Sequence, residues 1–597
     1  MQTAAAEKRR AAEKGETAMI WKHTFGTPER FVPTAFAPAP KTAVEAMPDD
    51  IALQFGFSVS ARGAKLTLPL GAKTEIYGFG LQLKALNHAG NKITVRCNAD
   101  PRSRSGDSHA PVPFFITNEG WGLYVDTARN AAFYCGSERN RGLTSADFEA
   151  FAESEFIDNT RDLYAEKTHE YAALTVEIPV AQGADVYYIT GSRIVDIVAQ
   201  YNLLSGGGCL PPDWGFGPFY RCCGRFDETE ALAMAESLRA QRIPCDVFGL
   251  EPGWQTRVYS CSYLWSEKFK NHEGTLKKLR EMGYRVNLWE HFFVHPTAPV
   301  FDALLPYSAD YYVWHGLVPD FSFEVARRIY AAHQKTLVDE GVAGFKVDEC
   351  DGSDFTGGWS YPDCAAFPSG MDGEQYHHLA GTLGAKTLLE ATGPDTYGEI
   401  RAGGALFASY PYALYSDLYD FDDFLTGVIN AGYAGLLWAP EVRRCETRED
   451  LIRRIQLVAF SAQCLVNAWN YDHFPWLDFD AADEVREMFE TRMRLTPYLR
   501  RIFTRYRDTG VPPIRALNCD YENPLHLSDE YIFGDMIVAP LRPGESQREV
   551  WLPDGDWVGF FDGKPYTGGL HIIETEKIPV YYRAGDPPET EEAGLFH

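Results

Sequence analysis

Between residues 20 and 205, apolar and polar positions alternate in short runs such as AKLTLPL, NKITVRC and AALTVEIPV, separated by glycine, asparagine and proline turns. A period of two bounded by turn residues predicts half-buried strands, and a succession of them predicts an antiparallel β-sandwich. From LPPDWGFGPFY onward the period changes. DVFGLE follows ETEALAMAESLRAQ, RVNLWEHF follows GTLKKLREM, and GFKVDE follows EVARRIYAAHQKTLVDE, each a short apolar run after a stretch of helical spacing. Strand and helix in alternation over 206–505 predict a (β/α)8 barrel. After MRLTPYLRRIFTRYRD the chain returns to short strands, IVAPL, REVWLP, WVGFF and PVYYRAG, which predict a second β-sandwich over 506–597. The expected fold class is α/β, with a central TIM barrel between an N-terminal and a C-terminal β-sandwich. Residues 1–19 mix alanine with both charge signs and are expected to be a disordered or helical extension. No fixed-period repeat and no low-complexity segment interrupts this order.

Composition narrows the function classes. A chain of 597 residues, 45% hydrophobic and 14% aromatic, has material for a large core and is neither a disulfide scaffold nor a disordered protein. Its net charge of −27 would repel phosphate backbones and anionic lipid, so no nucleic-acid and no membrane partner is expected. No apolar stretch has the length of a transmembrane helix, and the first residues hold no apolar core of signal-peptide length. The twelve cysteines include an adjacent pair, Cys222 and Cys223, but no CxxC, as expected of reduced thiols in a cytoplasmic protein. The sequence leaves the oligomeric state open, a homo-oligomer included.

Barrels of this kind place their chemistry where strands end on the C-terminal face. Three apolar runs end there in acidic residues: DVFGLEPGW at Glu251, RVNLWEHF at Glu290, and GFKVDECDGSD at Asp348 and Glu349. ALYSDLYDFDDF adds Asp417, with Asp420, Asp422 and Asp423 beyond it. Aromatic residues crowd the same stretches: Trp254, Trp289, Phe292, Trp314, Tyr410, Tyr415, Trp438, Trp469 and Trp476. Carboxylates beside aromatic platforms suit an uncharged polar ligand such as a sugar. Breaking a glycosidic bond needs two carboxylates at once, one to attack or stabilise the anomeric carbon and one to protonate the leaving oxygen. DECDGSD lacks the full spacing of a calcium loop. In HFFVH the four-residue spacing of His291 and His295 falls on a run that begins as a strand, without HExxH. GxSxG and GxxxxGK[ST] are absent, so neither metal nor cofactor is expected.

GFKVDECDGSD resembles the nucleophile motif of glycoside hydrolase family 31, which has the pattern (W/K)xDxxE, Lys346 and Asp348 matching its lysine variant. LPPDWGFGPFYRCC and RIPCDVFGLEPGW resemble the family's first two barrel strands, and VPDFS its segment before the nucleophile strand. The family places an arginine sixteen residues before its acid, with Tyr-Pro between; Arg401, Tyr410, Pro411 and Asp417 repeat that spacing. LTPYLRRIF, GVPPIRAL, IFGDMIVAP, VWLPDGDWVGF and IPVYYRAG resemble its last barrel helix and following β-domain. The resemblance runs from about residue 75 to 587. It implies Asp348 as nucleophile, Asp417 as acid/base, and Arg401 as a donor to a ring hydroxyl. Lys346 and Glu251 are then polar walls of the first sugar pocket, with Glu290 and Tyr410 beside them. Trp254, Trp289 and Trp438 are candidate stacking platforms, and Asn467, Trp469 and His473 belong to the last loop closing the pocket. Departures from the family pattern, AlaSerTyr at 408–410, LeuTyrSerAsp at 414–417, Glu251 for an aspartate, and LeuValAsnAlaTrp at 465–469, all fall on residues expected to read ring hydroxyls. The implied function is a retaining, exo-acting α-glycosidase that removes terminal α-linked hexose of glucoside or galactoside type from small carbohydrates. An α-N-acetylgalactosaminidase, an α-xylosidase, a transglycosylase and a non-catalytic glycan-binding protein are the alternatives.

Overall fold

The computed structural model describes residues 18–71, 73–98, 103–137, 173–350 and 359–597. The predicted extension up to residue 17, the 138–172 part of the N-terminal region and the DGSD end of the calcium-like run lie outside the described residues.

Alternation in the N-terminal region builds two facing antiparallel sheets. The six-stranded sheet runs in the order Val44–Ala46, Met19–Thr27, Gln182–Thr190, Trp121–Asp126, Pro111–Thr117, Ile76–Gly80, with only its edge pair parallel. The five-stranded sheet runs Gly56–Ser60, Gly63–Pro69, Ala173–Pro179, Ala132–Ser137, Lys92–Thr94. Leu66, Phe133 and Val176 from one sheet pack on Phe115, Leu123 and Val186 from the other. Because successive side chains alternate faces, Phe114 and Tyr124 point the opposite way, into the core shared with the barrel. There Phe114 stacks on Tyr201 of the connecting helix Ile194–Leu204, ring centres 4.0 Å apart. Buried Arg129 fastens the sandwich to the barrel by pairing with Glu29, Asp372 and Glu374.

The barrel strands are parallel, in sequence order around the ring: Pro218–Arg221, Val247–Leu250, Arg285–Glu290, Val342–Val347, Gly398–Ile400 and Tyr412–Leu414, with Cys464–Asn467 pairing back onto the first. The seventh place is taken by the extended segment 437–442. It bridges Leu414 through Trp438 and Val466 through Val442, both in parallel sense, so the ring closes with eight places. Helices between strands start and stop where local chemistry dictates. Asp227 caps Glu228–Ala240 by accepting from the backbone of Thr229 and Glu230, with Glu230 reaching back to complete a capping box. Glu324–Glu340 ends at Gly341, whose φ of 118° turns the chain straight into the fourth strand. The C-terminal region forms a six-stranded antiparallel sheet, Ile514–Ala516, Tyr531–Phe533, Met536–Val538, Val580–Arg583, Gln547–Gly559, Pro565–Glu574, around Ile532, Ile537, Leu552 and Trp557. Among the described residues, no helix is long and apolar enough to cross a membrane.

Candidate active site

Carboxylates and guanidinium groups converge at the C-terminal ends of the barrel strands because the inward half of each strand's alternation carries them. The innermost group is a buried network around Arg221, the last residue of the first strand. Its guanidinium pairs with Glu251 at the end of the second strand, donates to Asn287 Oδ1 at 2.7 Å and lies 3.4 Å from Glu399. Lys346 on the fourth strand is 3.4 Å from Glu251, and its ammonium sits 4.9 Å from the centre of the Tyr415 ring. Charges this deep persist only when paired, and here each cation faces a carboxylate.

Asp348 follows the fourth strand. Its Oδ2 accepts from the indole N–H of Trp289 at 2.8 Å, and its Oδ1 accepts from Arg401 Nη1 at 3.2 Å and from the Glu349 backbone at 3.0 Å. Burial alone would push this carboxyl up. The charges of Arg401 and Lys346, with hydrogen bonds from Trp289 and Tyr415, overcome it and hold the carboxyl at about 2. Asp348 is therefore a carboxylate in a pocket that has already oriented both of its oxygens.

The same Arg401 nitrogen donates to Asp417 Oδ2 at 2.6 Å. One guanidinium nitrogen thus spans both carboxylates, so their facing oxygens lie closer than the sum of the two bonds. Asp348 is largely shielded, whereas the Asp417 side chain is 59% exposed, as a group that must meet both a leaving oxygen and a water would be. Arg443, beyond the segment in the seventh place, holds the Asp417 loop: its Nη2 donates to the carbonyls of Asp417 and Leu418 at 3.0 Å each, while Nε lies 2.8 Å from Glu441. Asn467 donates to the other oxygen of Glu441 at 2.8 Å.

Family models match the two regions downstream of the sandwich: residues 208–501 as a glycosyl hydrolases family 31 TIM-barrel domain, and residues 510–586 as the family 31 C-terminal domain, together more than half of the chain. The chain belongs to glycoside hydrolase family 31. It is 23% identical over 569 residues to an alpha-xylosidase of Emericella nidulans, covering 87% of this chain and 67% of that one. It is 24% identical over 480 residues to alpha-glucosidase 2 of Bacillus thermoamyloliquefaciens, covering 72% and 60%. The Flavobacterium johnsoniae GH31 dextranase, solved in complex with glucose, superposes with a TM-score of 0.77 at 20% identity over 91% of this chain and 69% of that one.

In this family 31 enzyme, Arg401, Asp348, Asp417, Trp289, Lys346 and Glu251 form one connected group, and Asn467 joins it through Glu441. Four other expected substrate contacts have their polar groups or rings engaged outside this connected group. Trp254 is completely buried, its indole N–H spent on the Trp289 carbonyl at 2.7 Å and its ring against Trp265. Trp438 turns outward onto the helix Phe421–Ala431 and donates to the Phe424 carbonyl at 3.2 Å, so it presents no face to a ligand. Tyr410 is buried with its ring on Phe407. Glu290 falls on the outward half of the third strand, one residue beyond inward-facing Trp289, and accepts from Tyr330 on the helix Glu324–Glu340 at 2.8 Å. Two last-loop residues stand apart: Trp469 is exposed, and His473 is held between Asp472 and Asp478.

Burial pushes the Glu290 carboxyl up from 4.5 to about 8, so it is a neutral acid at pH 7. The folded chain then binds a proton that the unfolded chain releases, so this group's contribution to stability is complete below about pH 4.5 and is lost as pH rises through about 8. Glu290→Gln removes that titration. Its urea midpoint is expected to gain on the wild type between about pH 5 and pH 9; a constant difference across that range would contradict the assignment.

Several site residues escaped the sequence reading. Arg221 is the buried partner of both Glu251 and Glu399, and Glu441 with Arg443 ends the run LLWAPEVRR, where the strand-end rule that found Asp348 would have flagged them. His109 reaches the site from the N-terminal sandwich; burial and the nearby Arg401 charge hold its imidazole well below the usual range, against the pull of Asp348. Distance along the chain hid it. Among the described residues, one group of metal-ligating type, His526, Asp529 and Glu530, lies in the C-terminal region, where Arg542 and Arg548 already occupy its carboxylates.

Proposed function

We propose that the enzyme removes a terminal α-linked hexose, of glucoside or galactoside type, from small oligosaccharides or glycosides by retaining double displacement. The observation that supports this reading is Arg401 Nη1 donating to both Asp348 and Asp417, which brings two carboxylates together as attack on one face and proton transfer on the other require. Asp348, ionised and fixed by Trp289, attacks the anomeric carbon. Asp417 gives its proton to the leaving oxygen, and after the glycosyl ester forms it takes a proton from the water that hydrolyses it. Esterification removes the Asp348 charge and leaves Asp417 as the one charged carboxylate partner of Arg401 Nη1. A hexose over a pentose is supported by Glu251 and Lys346, buried polar partners for hydroxyls distant from the anomeric carbon, such as the hydroxymethyl that a pentose lacks.

An α-xyloside is the second reading, favoured by the relative named as an alpha-xylosidase that covers 87% of this chain. A panel of nitrophenyl α-glycosides of glucose, galactose, N-acetylgalactosamine and xylose decides between them. The expected result is preference for glucoside or galactoside by at least about tenfold in kcat/KM, with the α-anomer released first in proton NMR. Preference for the xyloside would replace the hexose reading, and β-anomer as first product would remove the double displacement.

A further inference from the structure

The buried Trp254 and Trp438 leave open which aromatic faces a substrate meets, and three other rings gather at the mouth of the barrel, half-buried Trp314 between exposed Tyr259 and Trp359. A hairpin, Ser308–Val313 and Gly316–Pro319, stands after the third strand. Val313 pairs directly with Gly316, so Trp314 and His315 alone make the turn, with φ of 48° and 64°. Both central positions of such a turn favour glycine or asparagine, and a tryptophan there is held against its backbone preference. The turn is braced: Ser260 Oγ donates to the Trp314 carbonyl at 3.3 Å, and Leu317 pairs with Val294.

Two more rings meet Trp314 from other loops. Tyr259, from the loop after the second strand, packs edge-on at 4.8 Å between ring centres, and Trp359, beyond the fourth strand, at 5.4 Å. Tyr259 is 50% exposed and Trp359 44%. Behind them the rings lead to the nucleophile, since Tyr259 lies 5.8 Å from Trp289, whose indole N–H is bonded to Asp348. Burial and the charges of Asp348, Glu349 and Asp417 push the Tyr259 hydroxyl up, which puts this residue in the field of both proposed catalytic carboxylates.

We propose that Tyr259, Trp314 and Trp359 form a platform for the leaving group, holding the apolar face of the sugar ring on the far side of the scissile bond. This rests on the reading of Asp348 and Asp417 as the catalytic pair. A pyranose presents a C–H face that packs on aromatic rings while its rim hydroxyls stay in water, and three rings from three loops beside the bond to be broken offer that surface. Trp314 is the centre of the platform, which accounts for a tryptophan in a turn better suited to asparagine.

The test compares two substrates carrying the same terminal sugar, the one selected by the glycoside panel: an α-linked disaccharide and the α-glycosyl fluoride, whose leaving group has no ring. Trp314→Asn suits the left-handed turn but gives up the ring's packing on His291 and Phe293, so its far-UV circular dichroism is matched to the wild type before the kinetics are read. Its kcat/KM is expected to fall at least about tenfold more on the disaccharide than on the fluoride, with Tyr259→Ala in the same direction and Trp314→Phe recovering most of the loss. Equal losses on the two substrates, or none on the disaccharide, would overturn the platform and leave the glycosidase reading intact. A wild-type enzyme unable to hydrolyse the fluoride would overturn the glycosidase reading, and the platform with it.

Discussion

Replacing Asp348 by asparagine is expected to lower kcat on every α-glycoside by a factor on the order of 10⁴ or more, with the far-UV circular dichroism of the wild type retained. The amide keeps the shape of the carboxylate, but only its oxygen accepts, so it keeps one of the donors Trp289 and Arg401 and turns its NH2 toward the other. Arg401 retains Asp417, so the disturbance is local, and what disappears for the reaction is the charge that forms the glycosyl bond. A stronger form of the experiment uses Asp348→Gly with sodium azide, which should restore turnover and give the β-glycosyl azide, because the anion enters from the face the carboxylate occupied. A second check is mass: a slow fluorinated glycosyl fluoride should add one glycosyl residue to the peptide containing Asp348. A folded Asp348→Asn protein with normal turnover would remove the assignment. The carboxyl at about 2 adds a pH expectation, that Asp348 stays ionised throughout the pH range in which the enzyme is assayed.

Asp417→Ala should split by leaving group. On a substrate with a poor leaving alkoxide, the first step loses its acid, and a fall on the order of 10²–10⁴-fold is expected. An activated dinitrophenyl glycoside needs little protonation, so its first step should be nearly spared and a burst of phenol should precede slow turnover as the glycosyl-enzyme waits for a base. Azide should speed that second step and give the α-glycosyl azide, the opposite anomer from the Asp348→Gly experiment. Equal losses on the two leaving groups would exclude Asp417 as the acid. The exposure of this side chain, 59%, makes a folding defect an unconvincing explanation for any loss.

Much of the arrangement was legible in the chain. The change from period two to strand–helix alternation near residue 206 marked the barrel, and apolar runs ending in Glu251, Glu290 and Asp348, with Asp417 added from ALYSDLYDFDDF, pointed to its C-terminal face. Both are local signals, because a strand's alternation and a strand's end are visible within a few residues. Glu290 shows the limit of the same rule. It too ends an apolar run, but Trp289 took the inward position, so Glu290 turned to Tyr330 and became a buried neutral acid. A run with acidic residues near its end does not say which of two neighbours faces the axis.

The tryptophans make the point more sharply. Trp254, Trp289, Trp314 and Trp438 look alike in the sequence, each beside a strand end. In the fold, Trp254 and Trp438 cover barrel structure, Trp289 holds a carboxylate, and Trp314 stands at the mouth in a left-handed turn. Exposure is a property of the neighbours, and the neighbours come from distant segments.

By itself, the sequence determined the order of elements, the family, and the two aspartates whose spacing from Arg401 and Lys346 follows the family pattern, since all of these depend on short-range periodicity and motif. The tertiary structure alone decided that Arg401 bridges both aspartates, that Arg221 is shared by Glu251 and Glu399, that His109 arrives from another domain, and which rings reach solvent. The physical reason is closure of the barrel. Bringing eight strand positions into one ring sets residues 53 and 16 apart in the chain onto a single guanidinium nitrogen, and no local pattern carries that geometry.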